Sequence, residues 1–279
     1  MTKTNRSFSE TRFIFGLKII KTPDRKRRKK SLQKVSYGVR NCIKNIELES
    51  NLVKLLIKVD QINMLEVEYS PYGTDSQSII YRQRENGCSV DYFWVKEDFQ
   101  TVALNDLKVN LANQSTPMEE LRLDFSYKYY ISAGYGREQL EEQTLNFLEM
   151  LKVTLMSKAK LFQTMLNMDA ENQDQVLTVL SFLDPVYLKT IEVQAPFTRP
   201  TRNGFEIDKM SKTDQWSQAD ILTINGLVVT TSLQNIPIIH FQKFNITLDT
   251  ISPDDVFYLK EELIRSSNIQ KFKIGFKKK

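Results

Sequence analysis

The sequence predicts an α/β (α+β) fold made of stacked helix–strand units that together form a curved sheet. Three observations carry this. Short apolar strands recur along the chain, and most are preceded by a segment with helical periodicity. Hydrophobic residues make up 41% and charged residues 26%, enough for a real core. Glycine (9) and proline (8) are scarce, which favours dense secondary structure over long irregular stretches.

Taken in order, residues 1–30 are polar and basic around one apolar island, "FIFGLKII", and predict poor order. From Ser31, the residues Leu32, Val35, Val39, Cys42, Ile43 and Ile46 fall on one face of a helix. "LVKLLIKVD" and "MLEVEYS" then alternate as strands, with "PYGTD" as a turn, "SIIYRQ" as a strand, "ENG" as a second turn and "DYFWV" as a further strand. This part predicts a small antiparallel sheet. "KEDFQTVALNDLKVNLANQ" places Phe99, Val102, Ala103, Leu107, Leu111 and Ala112 on a helical stripe.

Six strands follow: "MEELRLDFSY", "LFQTMLNM", "LKTIEV", "DILTIN", "FNITLD" and "IQKFKIGF". Between them lie helical patterns at 137–158, 172–184 and 252–266. The last has Ser252 as N-cap, Pro253 at the first helical position and an apolar stripe of Val256, Leu259, Leu263 and Ile264. Strands such as "MEELRLDF" and "YLKTIEV" approach an L-x-x-L-x-L pattern, which leans towards a leucine-rich-repeat-like stack. Such a unit cannot bury its apolar face alone, so its neighbours must pack against it. An ordinary three-layer α/β domain is the alternative.

Charge and composition narrow the function classes. Net charge is +5, but Arg25 to Lys30 carry +6 and Lys277 to Lys279 carry +3, so the remaining body is slightly acidic. A nucleic-acid-binding domain gathers its charge on one folded face, so nucleic acid is a weak expectation, confined to the basic run 25–30. Cys42 and Cys88 form neither a disulfide framework nor a zinc pattern, and a reducing compartment is the simpler reading. No apolar run approaches the roughly 20 residues that span a bilayer, and no signal-peptide cleavage pattern follows the apolar island. The N-x-S/T triplets at Asn5, Asn113 and Asn245 are then chance matches.

Catalytic chemistry is sparse. The one histidine, His240, lies in the strand-like run "IPIIHFQKF" and reads as structural. Glycine-rich phosphate loops, the G-x-S-x-G nucleophile turn and calcium-loop patterns are missing. "YKYYISAGYGRE" could stack bases but reads as a strand and a turn. Trp216, in "DQWSQAD", reads as a packing residue at a helix end rather than a surface anchor. Together these predict a non-enzymatic protein with no cofactor and no metal.

Three segments in order, "VLTVLSFLDPVYLKTIEV", "DQWSQADILTING" and "IIHFQKFNITLDTISPDDVFYLKEELIRSS", resemble the FTH (FOG-two homology) domain of the nematode F-box A group. Upstream, "SLQKVSYGVRNCIKNIELESNLVKLLIKVD" is similar to the second half of that group's F-box and the strand after it. Leu32, Lys34, Val35, Val39, Arg40 and Ile43 match the family's helix, with Gln33 in place of an arginine. The family's opening Met-Pro segment has no counterpart before Ser31. The resemblance spans roughly residues 31–275.

It implies four parts: a basic segment 1–30, a partial F-box-like helix 31–50, a middle region 51–135 and an FTH-like repeat domain 136–279. It also implies a substrate-recognition adaptor of a cullin-based (SCF-type) ubiquitin ligase, located in the cytoplasm or nucleus. Leu32, Val35, Val39 and Ile43 would face a Skp-type adaptor, and the FTH-like part would hold a substrate protein. A module of the same fold that has lost ligase recruitment is the other expectation.

Overall fold

The structure is a computed structural model. It describes residues 52–61, 63–72, 75–112, 114, 116–125, 136–157, 160–196 and 204–276, and the short pair β1 (Phe13–Ile14) and β2 (Leu17–Lys18). Apart from β1 and β2, the expectations for the order of residues 1–30, the helix at 31–50, the basic run 25–30 and most of "YKYYISAGYGRE" lie outside the described residues.

The described chain is mixed α/β, with one large sheet of eleven strands. Its strands are β3 (Leu52–Gln61), β4 (Met64–Pro71), β5 (Gln77–Arg84), β6 (Gly87–Val90), β7 (Phe93–Val95) and β8 (Met118–Asp124). They are followed by β9 (Gln163–Asp169), β10 (Thr190–Gln194), β11 (Ile221–Asn225), β12 (Lys243–Leu248) and β13 (Lys271–Phe276). Five α-helices accompany them: α1 (Phe99–Ala112), α2 (Arg137–Met156), α3 (Gln173–Leu180), α4 (Asp214–Gln218) and α5 (Pro253–Arg265).

The order across the sheet is β13-β12-β11-β10-β9-β8-β3-β4-β5-β6-β7. From β3 through β8 to β13 every neighbouring pair is parallel, and the strands follow one another in chain order. From β3 to β7 the pairs are antiparallel hairpins. Parallel crossovers are right-handed, so a series that always advances in one direction lays its connections on one face of the sheet. Burial agrees. Leu121, Leu123, Leu166, Met168, Ile191, Val193, Leu222, Ile224, Phe244 and Ile246 share one core with Leu107, Leu148, Leu151, Val176, Val179 and Trp216. Their alternating neighbours point to the opposite, open face.

Local sequence explains most boundaries. Asn172 caps α3 by accepting from the Gln175 amide at 3.0 Å, and Thr213 caps α4 by accepting from the Trp216 amide at 3.2 Å. Gly87 opens β6 at φ +142°, where a Cβ would lie 2.1 Å from the Val95 carbonyl oxygen, so only glycine fits this hairpin. The expected "ENG" turn forms at Glu85–Asn86, and the four-residue β6 follows it in a stretch to which the sequence reading gave no strand. The expected strand "DYFWV" begins two residues late: Asp91, at φ 49°, and Tyr92 form the turn between β6 and β7. The Asp91 carboxylate accepts from the Ile80 amide at 3.0 Å, which fixes that turn.

Helix α5 corrects a second expectation. Its capping box forms as expected, with Asp255 Oδ2 accepting from the Ser252 amide and Ser252 Oγ accepting from the Asp255 amide, both at 3.0 Å. The stripe, however, does not face inward. Val256 is 51%, Leu263 37% and Ile264 73% exposed, while Leu259 and Tyr258 pack on the core and Asp255 is buried. The buried side is turned towards the cap, where Ser232 donates to Asp255 Oδ1 at 2.9 Å, rather than towards the longest apolar row.

Candidate protein-interaction surface

The open face is built by strand register. One row of directly paired positions runs Lys54, Glu120, Met165, Thr190, Ile221, Lys243 and Lys271 across β3, β8, β9, β10, β11, β12 and β13. Two residues further along each strand, the next row runs Leu56, Arg122, Asn167, Glu192, Thr223, Asn245 and Lys273. Between these rows lies the buried row that includes Leu121, Leu166, Ile191, Leu222 and Phe244. The alternation therefore gives one apolar face and one polar face.

Polar side chains on the open face are knitted across strands near the middle of the sheet. Lys54 pairs with Glu120 at 3.5 Å and Arg122 with Asp124 at 3.7 Å. Gln194 Nε2 donates to Asn167 Oδ1 at 3.2 Å, Asn225 Nδ2 to Glu192 Oε1 at 3.5 Å, and Asn245 Nδ2 to Asn225 Oδ1 at 3.5 Å. At the β13 end the character changes. A shallow depression of about 200 Å³ is lined by Ile221, Thr223, Lys243, Asn245, Lys271 and Lys273, over the backbone of Leu222 and Phe244. The three lysines are exposed.

Where the strands end, β8 and β9 bring two carboxyls together. Asp169 Oδ2 accepts from the Phe125 amide at 2.9 Å. Burial, then the negative charge of Asp124, push the Asp169 carboxyl up to about 7, with the Phe125 amide working the other way. A cavity barely large enough for one water, lined by Phe125, Glu141, Thr144, Asp169, Glu171, Gln175 and Pro196, adjoins it.

The residues singled out from sequence fall as follows. Trp216 is fully buried, at 0% exposure, and its ring meets Phe241 edge-on with centroids 5.1 Å apart. It is a packing residue. His240 bonds the Trp216 carbonyl at 2.8 Å through a ring nitrogen, and its ring lies tilted against Phe241 with centroids 4.0 Å apart. Burial holds its imidazole below the usual histidine range, against the pull of that carbonyl. Leu32, Val35, Val39 and Ile43 lie outside the described residues. Cys88 is buried. Among the described residues no group of three or more histidine, cysteine or acidic side chains could hold a metal, and no helix is long and apolar enough to cross a membrane.

Two surface features escaped the sequence reading. One is the lysine depression, whose members come from segments far apart in sequence and meet only through parallel register. The other is the edge hairpin at β7, where Tyr92, Phe93 and Trp94 stand exposed in a row. "DYFWV" held the signal for the latter: a run of aromatics beside a turn.

An FTH domain is found at residues 145–279, which takes in most of α2, all of β9 to β13 and the lysine depression. Such a domain fits a protein-interaction role. No curated protein and no solved structure matches the chain.

Proposed function

We propose that the protein is a non-enzymatic substrate-recognition adaptor of a cullin-based ubiquitin ligase. Its FTH domain captures a target protein, and residues 31–50 dock on a Skp-type adaptor as the remnant of an F-box, through Leu32, Val35, Val39 and Ile43. The observation that carries this reading is the FTH domain at 145–279, whose strands belong to a sheet that packs one face into the core shared with the described helices. The parallel strands follow one another in chain order, as in a leucine-rich-repeat-like stack, and such folds bind partners on the open strand face. The mechanism is that of a bivalent tether. One surface holds the ligase and another the target, so the target's effective concentration near the ubiquitin donor rises without any catalytic group in this chain. The compartment is then intracellular, and neither cofactor nor metal is needed.

The test is co-purification of the full chain with a Skp-type adaptor. A complex that survives gel filtration and is lost on changing Leu32, Val35, Val39 and Ile43 to Asp is the expected result. A folded chain that never binds the adaptor overturns the ligase role and leaves the second reading, a binding module without recruitment. The nucleic-acid reading rests only on Arg25 to Lys30 and predicts strongly salt-dependent binding that disappears when those residues become Gln.

A further inference from the structure

Lys243, Lys271 and Lys273 occupy adjacent positions at one end of the open face. Lys243 lies directly beside Lys271 in the β12–β13 register, and Lys273 is the next outward-facing residue on β13. Like charges at neighbouring cross-strand positions are mutually destabilising. Elsewhere on this face the sheet relieves its charges by pairing, as Lys54 with Glu120 and Arg122 with Asp124 show. Among the described residues no carboxylate stands within ion-pairing distance of the three lysines, and they rim a depression rather than a convex surface. Repulsion left uncompensated around a hollow fits an anion supplied from outside.

We propose that the open face of β11 to β13 docks an acidic segment of a partner protein, with its carboxylates on Lys243, Lys271 and Lys273. This rests on the interaction reading above and names the chemistry of the partner.

Charge pattern argues for a short acidic peptide over a nucleic acid. The positive region covers two strands, roughly 5 Å between backbones. Beyond it Glu192 adds a negative charge, and Lys54 and Arg122 are already paired with Glu120 and Asp124, so a continuing polyanion gains little there. None of the outward positions on β8 to β13 is aromatic, so bases would find no stacking platform. Thr223, Asn225 and Asn245 instead offer hydroxyl and amide groups to a peptide backbone. Lysines on the outermost strand also oppose edge pairing with a second copy.

The test titrates the full chain with a fluorescein-labelled decapeptide of six Glu and four Gly, at low salt. A decapeptide of six Lys and four Gly and a single-stranded thymidine decamer serve as comparators. The expected result is binding of the acidic peptide that weakens about tenfold in K243Q/K271Q/K273Q and not when Arg25 to Lys30 become Gln. Circular dichroism and the unfolding midpoint of the triple variant should match the parent, because all three side chains are exposed. Four outcomes overturn the proposal: no binding by the parent chain, equal binding by the triple variant, tighter binding of the thymidine decamer, or a lysine-dependent dimer in sedimentation. A chain that recruits a Skp-type adaptor yet ignores the acidic peptide removes this inference and leaves the proposed function standing.

Discussion

The indole nitrogen of Trp216 donates to the carbonyl oxygen of Pro237 at 2.8 Å. That bond ties the short helix α4 to the chain that leads into β12, 21 residues later in sequence. The same tryptophan's carbonyl holds His240, and its ring packs on Phe241. One residue thus fixes the layer behind β11 and β12, the strands that frame the lysine depression.

Trp216→Phe tests this joint. The phenyl ring keeps much of the packing but has no donor, so the partly buried bond to the Pro237 carbonyl is lost. The loss is about 1 kcal/mol of stability, read as a lower urea midpoint. Trp94 is about half exposed, so the buried Trp216 should dominate the blue-shifted part of the emission. An unchanged midpoint would show that the bond contributes nothing.

Asp169 and His240 have opposite pH signatures. The folded value of Asp169, about 7, lies above its ordinary 3.8, so between these values the folded chain holds a proton that the unfolded chain has released. Its contribution is fully present below about pH 4 and is lost as pH rises through 7. The folded value of His240 lies below its ordinary 6.5, so its contribution is present above 6.5 and is lost as pH falls below that point. Asp169→Asn keeps an oxygen for the Phe125 amide and removes the repulsion with Asp124. The variant should match the parent near pH 5 and exceed it in stability at pH 8. Arg122 draws on the same pair and sets how large the difference becomes. Identical urea midpoints for the two chains at pH 8 would rule the carboxyl pair out as a source of pH dependence.

Much of this was legible beforehand because the signals were local. Period-two alternation placed β3 and β4, recurring short apolar strands placed β8 to β13, and the Ser252 cap with Pro253 placed the start of α5 to the residue. His240 was readable as structural from the apolar run around it, and Trp216 as a packing residue at a helix end. What escaped was set by tertiary register. Lys243, Lys271 and Lys273 meet because β12 and β13 are parallel neighbours in a given alignment, and no spacing in the sequence encodes that. The four-residue β6 escaped because its glycine marks a turn in sequence but opens a strand in space. For α5, periodicity identified an amphipathic helix but not its buried side, since a satisfied carboxylate can be buried where most of an apolar stripe is not.

Helix α5 turns that difference into a measurement. If the cap decides which side is buried, the polar residues should matter more than the apolar row. Burial opposes the charged form of Asp255, yet hydrogen bonds from the Ser252 amide, Ser252 Oγ and Ser232 Oγ hold its carboxyl below the usual range. Ser252→Ala should cost about 1 kcal/mol, the usual penalty for a lost N-cap. Asp255→Ala should cost about 2–3 kcal/mol, because it removes charge-assisted hydrogen bonds from the Ser252 amide and the Ser232 hydroxyl in a partly buried place. Phe257→Ser and Ile264→Ser, at 66% and 73% exposed positions, should stay within about 0.5 kcal/mol of the parent. Urea midpoints for the four variants give the ranking directly. If the two apolar changes proved costlier than Asp255→Ala, the apolar residues and not the cap would decide which side of α5 is buried.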